Sequence, residues 1–591
     1  MIYIDASKSL GVISPLIFGM SDCFFNKYLR KDSRFYKDFS QKVNAAGITN
    51  FRFQGDMTNI FHWKDPEDYL QLHGKIFSRV RDELFLSLEE QKMISTVDDL
   101  ASFIRDTPSM SDAVIGVNFG RGTAQEAAEW VRYANVEKGY GIKYWTVGNE
   151  LSYGTAPHDV YCWSWFSAHP EKYYFGGYQL QKREWLGVSN GKPSQIFTLN
   201  YPPVKEPVKD NLRVYVDNKP WVQVEDINAV GCGPYYQYRE IFSEGLYYRG
   251  EVLFGDGKSG IIPPSGSVVT ADYNSGPHDG LVDFISAMKA VDPTIKVGIC
   301  GDEIDWFLGG APTWTKRLLE LDEAQDDPNK EFDFITIHWH TIRPGDSPYQ
   351  ALHRQDNFDH AINCLRETMD SIYKRKRHKR SMPIFITEWK AVHWSPPMPQ
   401  GLFSVLFAAD ALGRFARNGI FQASMTHVLS YLKTDGLLSY EYTNPDYEPN
   451  QPMPIFFAFQ LISKKFGRVV IESRCDSPLR VYATLDREEN PVMLCLLVIN
   501  RDDAYAIREV INIKGFEPKE VAEAWMLNGD GLDKDTGLNI NGLALYALGW
   551  PKRAEVLETD EIPPKKIMSI GQSFEYTFPA HSLTIIQIRK K

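Results

Sequence analysis

Apolar positions recur along this chain with two different periods, and the places where the period changes divide it. From about residue 12 to residue 140, short β-type runs are each followed by stretches with apolar residues every three to four positions. This is the signature of strand–helix units around a parallel sheet. The runs predict strands at 15–19, 50–54 and 113–119. After the third, Thr123-Ala-Gln-Glu126 reads as a capping box that opens a helix carrying Ala127, Trp130 and Val131 and ending near Gly139. A fourth strand, IKYWTVGNE, comes next.

Between about residues 185 and 276 helical periodicity gives way to alternating β-type segments and turn residues, which predicts an inserted β-rich module. The helix in HDGLVDFISAMKAVDP restores the rhythm, and strands follow at 296–300, 333–340, 383–389 and 422–429. Eight strands predict a (β/α)8 TIM barrel in two parts, 12–184 and 277–465, split by the module at 185–276. From 466 to 591, period-two runs such as RVYATLD, MLCLLVIN and SLTIIQIR predict a C-terminal antiparallel β-sandwich, to which residues 1–11 add a strand.

A formal net charge of -11 argues against nucleic acid or an anionic membrane as partner. The aromatic content is high, with 14 Trp and 30 Tyr, which suits a sugar-binding cleft and equally suits the large cores of barrels and sandwiches. Seven scattered cysteines without a C-x-x-C pair indicate reduced thiols, not a zinc site or a disulfide framework. The N-terminus has no basic n-region followed by a continuous apolar stretch, and no apolar run approaches the roughly 18 residues of a membrane span. A soluble, cytoplasmic protein is expected from the chain as given, or a secreted one if a leader has been trimmed.

Barrel active sites lie at the carboxyl ends of the strands, so polar residues that end apolar strands are the candidates for chemistry. Asn149-Glu150 ends the fourth strand after Tyr144-Trp145-Thr146-Val147, and Glu388 ends the seventh after Ile384-Phe385-Ile386-Thr387. Two carboxyl groups about 5 to 5.5 Å apart across an anomeric carbon are what hydrolysis of a glycoside with retention requires. Taken singly, the plainer alternative for each glutamate is an ion pair with an arginine at a strand end. As a pair they predict Glu388 as the ionised nucleophile. Glu150 would be the general acid/base, kept protonated by partial burial and by repulsion from Glu388. Asn149 is the expected hydrogen-bond donor to the sugar 2-hydroxyl. This chemistry calls for no cofactor and no metal.

YWTVGNE and FITEW resemble the acid/base and nucleophile strands of glycoside hydrolase clan A, most of all those of its family 51, the α-L-arabinofuranosidases. ISPLIFG, GVNFGRGTAQEAAEWVRYAN, FISAMKAVDPTIKVG and LFAADALGRFARNG resemble segments of that family in the same order. The resemblance spans most of the barrel and part of the sandwich. It implies Glu150 as acid/base with Asn149 beside it, Glu388 as nucleophile, Arg52 as the cation that holds Glu388 ionised, and His338 on strand six near the sugar. The plainer alternatives are a structural salt bridge for Arg52 and a barrel-mouth hydrogen bond for His338. The family also implies a homo-oligomer, which nothing in these residues specifies.

The sequence departs from the family around the sugar pocket. A P-G-G stretch and a following Asn are replaced by Arg52-Phe53-Gln54-Gly55-Asp56-Met57, a tyrosine two residues after the strand-six histidine is replaced by His340, and Asp22 is the nearest candidate for an acidic residue after the first strand. Expected activity is therefore that of a carbohydrate-active hydrolase, most similar to an α-L-arabinofuranosidase. A β-xylosidase or an endo-acting glucanase or xylanase of the same clan is the alternative, and a non-catalytic carbohydrate-binding protein the alternative of another class. Of Trp63, Trp145, Trp163, Trp165, Trp314, Trp339 and Trp389, the positions of Trp63 and Trp389 after strands two and seven favour them as stacking platforms. Asp56 and His340 are further candidate sugar contacts. In the insert, FGDGKSGIIPPSGSVVTADYNSG resembles a β-rich module of phage baseplate proteins, implying a structural accessory.

Overall fold

Eight of the short apolar runs close into a ring. Strands β1 (Gly19–Asp22), β2 (Asn50–Phe53), β3 (Asp112–Val117), β4 (Tyr144–Val147), β5 (Lys296–Glu303), β6 (Phe334–Trp339), β7 (Ile384–Trp389) and β8 (Gln422–Met425) form a closed barrel. All pairs are parallel, and Ser424 and Met425 of β8 return to Gly19 and Met20 of β1. The architecture comes from a computed structural model. It describes the chain except residues 23–25, 54–57, 66–94, 153–168, 244–246, 304–312, 344, 391–400, 431–435, 440–448, 535 and 546–561.

The period of two sorts side chains between the two faces of the barrel wall. Val114, Tyr144, Phe334 and Phe385 meet Leu16 in a small separate core, with the Phe334 and Phe385 rings stacked at 3.9 Å. Their sequence neighbours Ile115, Trp145, Ile335 and Ile386 belong instead to the main core shared with the helices outside. Helix Leu402–Arg417 is buried along nearly its whole length, because the barrel covers one side and the terminal sandwich the other.

Two local expectations are corrected. The run at 15–19 is a 3-10 turn over Pro15–Ile17. Ser14 opens it, its hydroxyl accepting from the Leu16 amide at 3.3 Å, and the barrel strand begins only at Gly19. Proline in first position favours this, since its fixed φ and missing N–H suit a helical start. At helix Ala124–Val131, Thr123 caps the Glu126 amide at 3.0 Å, but the Glu126 carboxylate does not complete a capping box. Both its oxygens lie 3.0 Å from Nδ1 of the buried His62.

Between β4 and β5 the chain builds two four-stranded sheets. Gly177–Val188, Val268–His278, Leu212–Val216 and Lys219–Pro220 form one; Ile196–Thr198, Tyr247–Phe254, Tyr235–Ser243 and Val222–Val224 form the other. Leu186, Phe197, Val214, Trp221, Val252, Phe254, Val269 and Tyr273 are among the residues of their common core. The strands run from Gly177 to His278, and the alternating residues 178–182, whose Tyr178 and Leu180 side chains are exposed, carry the first strand back beyond 185. FGDG forms a turn in which Asp256 Oδ1 accepts from the amides of Lys258 and Ser259 at 2.8 and 2.7 Å.

This insert is pinned to loops that follow β2 and β3, at the carboxyl end of the barrel. Tyr247 stacks on His62 with ring centres 3.6 Å apart and donates its hydroxyl to Asp65 at 2.7 Å. Arg121 Nε donates to the Asn200 carbonyl at 3.1 Å.

After helix Pro454–Lys465 the chain enters an eleven-stranded sheet folded over a second core, which includes Ile4, Ile471, Leu496, Ile511 and Ile586. The first strand, Ile2–Val12, does join it. It runs antiparallel to Val469–Cys475 and parallel to Ile507–Lys514, so one pair breaks the otherwise antiparallel order. A buried ion network ties sandwich to barrel: Arg414 reaches Asp410, Asp359 and Asp356, Arg501 also reaches Asp356, and Tyr482 bonds Asp410. The described cysteines Cys232, Cys300, Cys364, Cys475 and Cys495 are free thiols. No helix among the described residues is long and apolar enough to cross a membrane.

Candidate active site

The strand ends bring together most of the polar residues singled out from the sequence. Glu388 at the end of β7 is 3% exposed and pairs with the guanidinium of Arg52 from β2, which also donates to Asn149 Oδ1. One arginine fork thus fixes a carboxylate and an amide from opposite sides of the barrel. His338, at the end of β6, lies between the two glutamates. Its Nδ1 is 2.9 Å from Glu150 Oε1 and its Nε2 is 3.7 Å from Glu388 Oε1.

Local backbone features aim these groups. After β4 the chain turns through Gly148 at φ +77° and Glu150 itself at φ +50°. That left-handed pair lifts Glu150 off the strand direction, and a side chain at position 148 would run into Leu151 and Asn59. Asn59 clamps the turn, its Oδ1 accepting from the Asn149 amide at 3.0 Å and its Nδ2 donating to the Asn149 carbonyl at 2.7 Å.

In β7 the register slips by one residue. Ile337 faces Ile386, yet the next residue of β6, His338, faces Glu388. The extra residue, Thr387, is a bulge that turns Glu388 toward the barrel mouth and Trp389 outward.

That bulge corrects the expectation for Trp389, whose ring is fully buried against Phe415 and Phe459 and offers no face to a sugar. Trp63 is also elsewhere. It stacks on Trp130 at 5.8 Å, nearly parallel, and donates to the Glu126 carbonyl, so it packs on a barrel helix. Trp145, Trp314 and Trp339 are buried as well. Asp56, Trp163 and Trp165 lie outside the described residues. Asp22 ends β1, buried, and accepts from Asn26 Nδ2 at 3.1 Å.

His340 does come to the site, in company that sequence reasoning missed. Its Nδ1 is 2.8 Å from Glu303 Oε1, its amide donates to Glu303 Oε2 at 3.2 Å, and its Nε2 is 3.9 Å from Glu388 Oε2. Glu303 escapes a sequence reading in which β5 ends at Cys300, where its apolar run stops. The strand runs three residues further, and the rule that found Glu150 and Glu388 applies at its true end. Asn59 had no signal, since its role depends on a loop that only the fold places beside β4.

Burial opposes ionisation of Glu388, and Glu150 adds repulsion. The charges of His338 and Arg52, with His340 helping, outweigh both and hold its carboxyl below the usual range. Burial likewise pulls the His338 imidazole down, but Glu388 and Glu150 outweigh it and raise its pKa. The site therefore favours an anionic Glu388 beside a protonated His338. Cys300, whose thiol accepts from the Leu151 amide at 3.3 Å, is pushed up to about 12 by burial and is not a nucleophile at neutral pH.

The chain's fold resembles that of solved α-L-arabinofuranosidases over its whole length. The α-L-arabinofuranosidase of Thermotoga maritima, solved with arabinose, aligns over 100% of this chain and 99% of its own, with a TM-score of 0.61 at 17% identity. The GH51 α-L-arabinofuranosidase of Thermotoga petrophila RKU-1 gives 0.60 at 17%, with the same coverage. A family 44 xyloglucanase of Paenibacillus polymyxa gives 0.53 at 12%, again over 100% and 99%. No protein-family model matches the chain, and no curated protein matches it in sequence. The likeness is one of fold.

Proposed function

We propose that this protein is a retaining glycoside hydrolase acting on oligosaccharide- or polysaccharide-derived glycosides, with α-L-arabinofuranosides as its leading substrate class. The observation that carries the reading is His338, whose two ring nitrogens face Glu150 and Glu388 and so bring two carboxylates from β4 and β7 into one pocket. Asn149 adds a second support, because its Nδ2 is buried and has no hydrogen-bond partner among the described residues, leaving a donor for a substrate hydroxyl.

In the first step a Glu388 oxygen attacks the anomeric carbon while a proton passes from Glu150 to the departing glycosidic oxygen. The carbon–oxygen bond to the leaving group breaks and an ester to Glu388 forms. In the second step Glu150, now a carboxylate, takes a proton from water, whose oxygen attacks the same carbon and expels Glu388. The sugar leaves with its configuration retained and both glutamates return to their starting states. Arg52 keeps Glu388 ionised and oriented. The insert docks on the loops after β2 and β3 at the same end of the barrel.

Release of 4-nitrophenol from a panel of aryl glycosides, including the α-L-arabinofuranoside and the β-xyloside, tests the reading and reports the sugar. Glu388→Gln should abolish turnover in a folded protein, and azide should restore turnover of activated substrates to Glu150→Ala. No turnover of any glycoside together with oligosaccharide binding would show a non-catalytic carbohydrate-binding protein instead.

A further inference from the structure

Four side chains at the mouth form a set that double displacement does not use as a set. Glu150, Glu303, His338 and His340 each present one ligand atom, and all four atoms lie within 4.8 Å of one another. Two imidazoles and two carboxylates are the donor set of zinc-type divalent ions. Atoms so spaced surround a point about 3 Å from each, and inward shifts of about 1 Å reach the ~2.0–2.2 Å of zinc–nitrogen and zinc–oxygen bonds.

The surroundings favour a cation. Among the described residues, Glu150, Glu303 and Glu388 bring three carboxylates to the two imidazoles and the guanidinium of Arg52. Among the described residues, Nε2 of His340 is buried and has no hydrogen-bond partner, although its Nδ1 is held by Glu303. Glu303 and His338 are buried and fixed, whereas Glu150 and His340 are partly exposed, so an ion has both a rigid floor and a way in.

We propose that this cluster binds one zinc-type divalent cation in competition with substrate, so that the metal is a reversible inhibitor of the site. Binding needs only the four side chains. Inhibition rests on the glycosidase reading, because the ion takes Glu150, the proposed proton donor, out of service.

Isothermal titration of the full-length protein with Zn2+ tests binding without reference to turnover, and a parallel Co2+ titration read by visible absorption reports nitrogen and oxygen ligands directly. One ion per chain is expected. Affinity should fall at least about 100-fold in His340→Phe and in Glu303→Gln, beyond what loss of an outer-shell partner usually costs. Either variant suffices if the other fails to fold. With an aryl glycoside that the protein hydrolyses, Zn2+ should raise the apparent KM and leave kcat unchanged. Absence of 1:1 binding at millimolar Zn2+, or binding undiminished in both variants, overturns the proposal. Zinc binding without hydrolysis of any glycoside would leave the metal site standing and sink the proposed function, and hydrolysis without zinc binding would do the reverse.

Discussion

Replacing Arg52 by glutamine tests the electrostatic core of the site. The side chain is 3% exposed and makes two charge-assisted contacts, to the Glu388 carboxylate and to Asn149 Oδ1. Glutamine keeps part of the bulk and removes the charge. Truncating one partner of a buried ion pair costs about 3–5 kcal/mol, since the other charge stays buried and uncompensated. Two charge-assisted hydrogen bonds at about 1.5–3 kcal/mol each give an overlapping range of about 3–6 kcal/mol. If that energy is expressed in the transition state, kcat/KM on the best aryl glycoside should fall by about 10²–10⁴. Arg52→Lys should fall between, because a single ammonium cannot span both partners as the fork does. Steady-state kinetics at neutral pH, with circular dichroism to confirm folding, is the assay. Activity of Arg52→Gln within about tenfold of the parent would refute the argument that this guanidinium holds the nucleophile.

Other consequences are open to measurement. Arg414→Met leaves Asp410, which is fully buried, with Tyr482 as its main partner, so unfolding free energy from urea titration should drop by about 3–5 kcal/mol; a loss under about 1 kcal/mol would show the network to be dispensable. In the insert, burial lifts the Glu184 carboxyl to about 7 against hydrogen bonds from Tyr273 and the Asn200 amide. The folded module then holds a proton that the unfolded chain has released, so its stability is full below the unfolded pKa and declines as pH rises through about 7. Melting temperature should therefore fall between about pH 6 and about pH 8 in the parent but not in Glu184→Gln, and equal slopes would contradict this. Tyr247→Ala removes the stack on His62 and the bond to Asp65, and amide exchange at 247–254 should quicken while β4 and β5 stay protected; unchanged exchange would mean that the insert is held elsewhere.

The barrel was readable because its strands are short, largely apolar runs set between helical stretches, and β4, β6 and β7 carry a polar residue at or just past their ends. That is why Glu150, Glu388 and His338 could be placed at one mouth although 238 positions separate the two glutamates. Register was not readable. A strict alternation from Phe385 inward would send Glu388 to the helices and Trp389 to the cleft, and only the bulge at Thr387 reverses both. Tryptophans after strands looked like sugar platforms, but a flat ring at a strand end serves equally to seal strand against helix, and Trp389 and Trp63 do that. Glu126 shows the same limit, since a capping-box spacing says nothing about a buried histidine arriving from another loop.

The insert leaves the barrel and rejoins it at a single place, since Gly177 pairs with His278 where its first and last long strands meet. To the barrel the whole module is equivalent to a hairpin stalk. A tight turn joining residues 176 and 279 would reconnect β4 to β5, so the module can be exchanged as one cassette. The same construction bears on folding: the ring's fourth and fifth staves are held together by a span that costs little extra chain entropy for its length, about 0.6 kcal/mol per doubling, once the stalk has zipped.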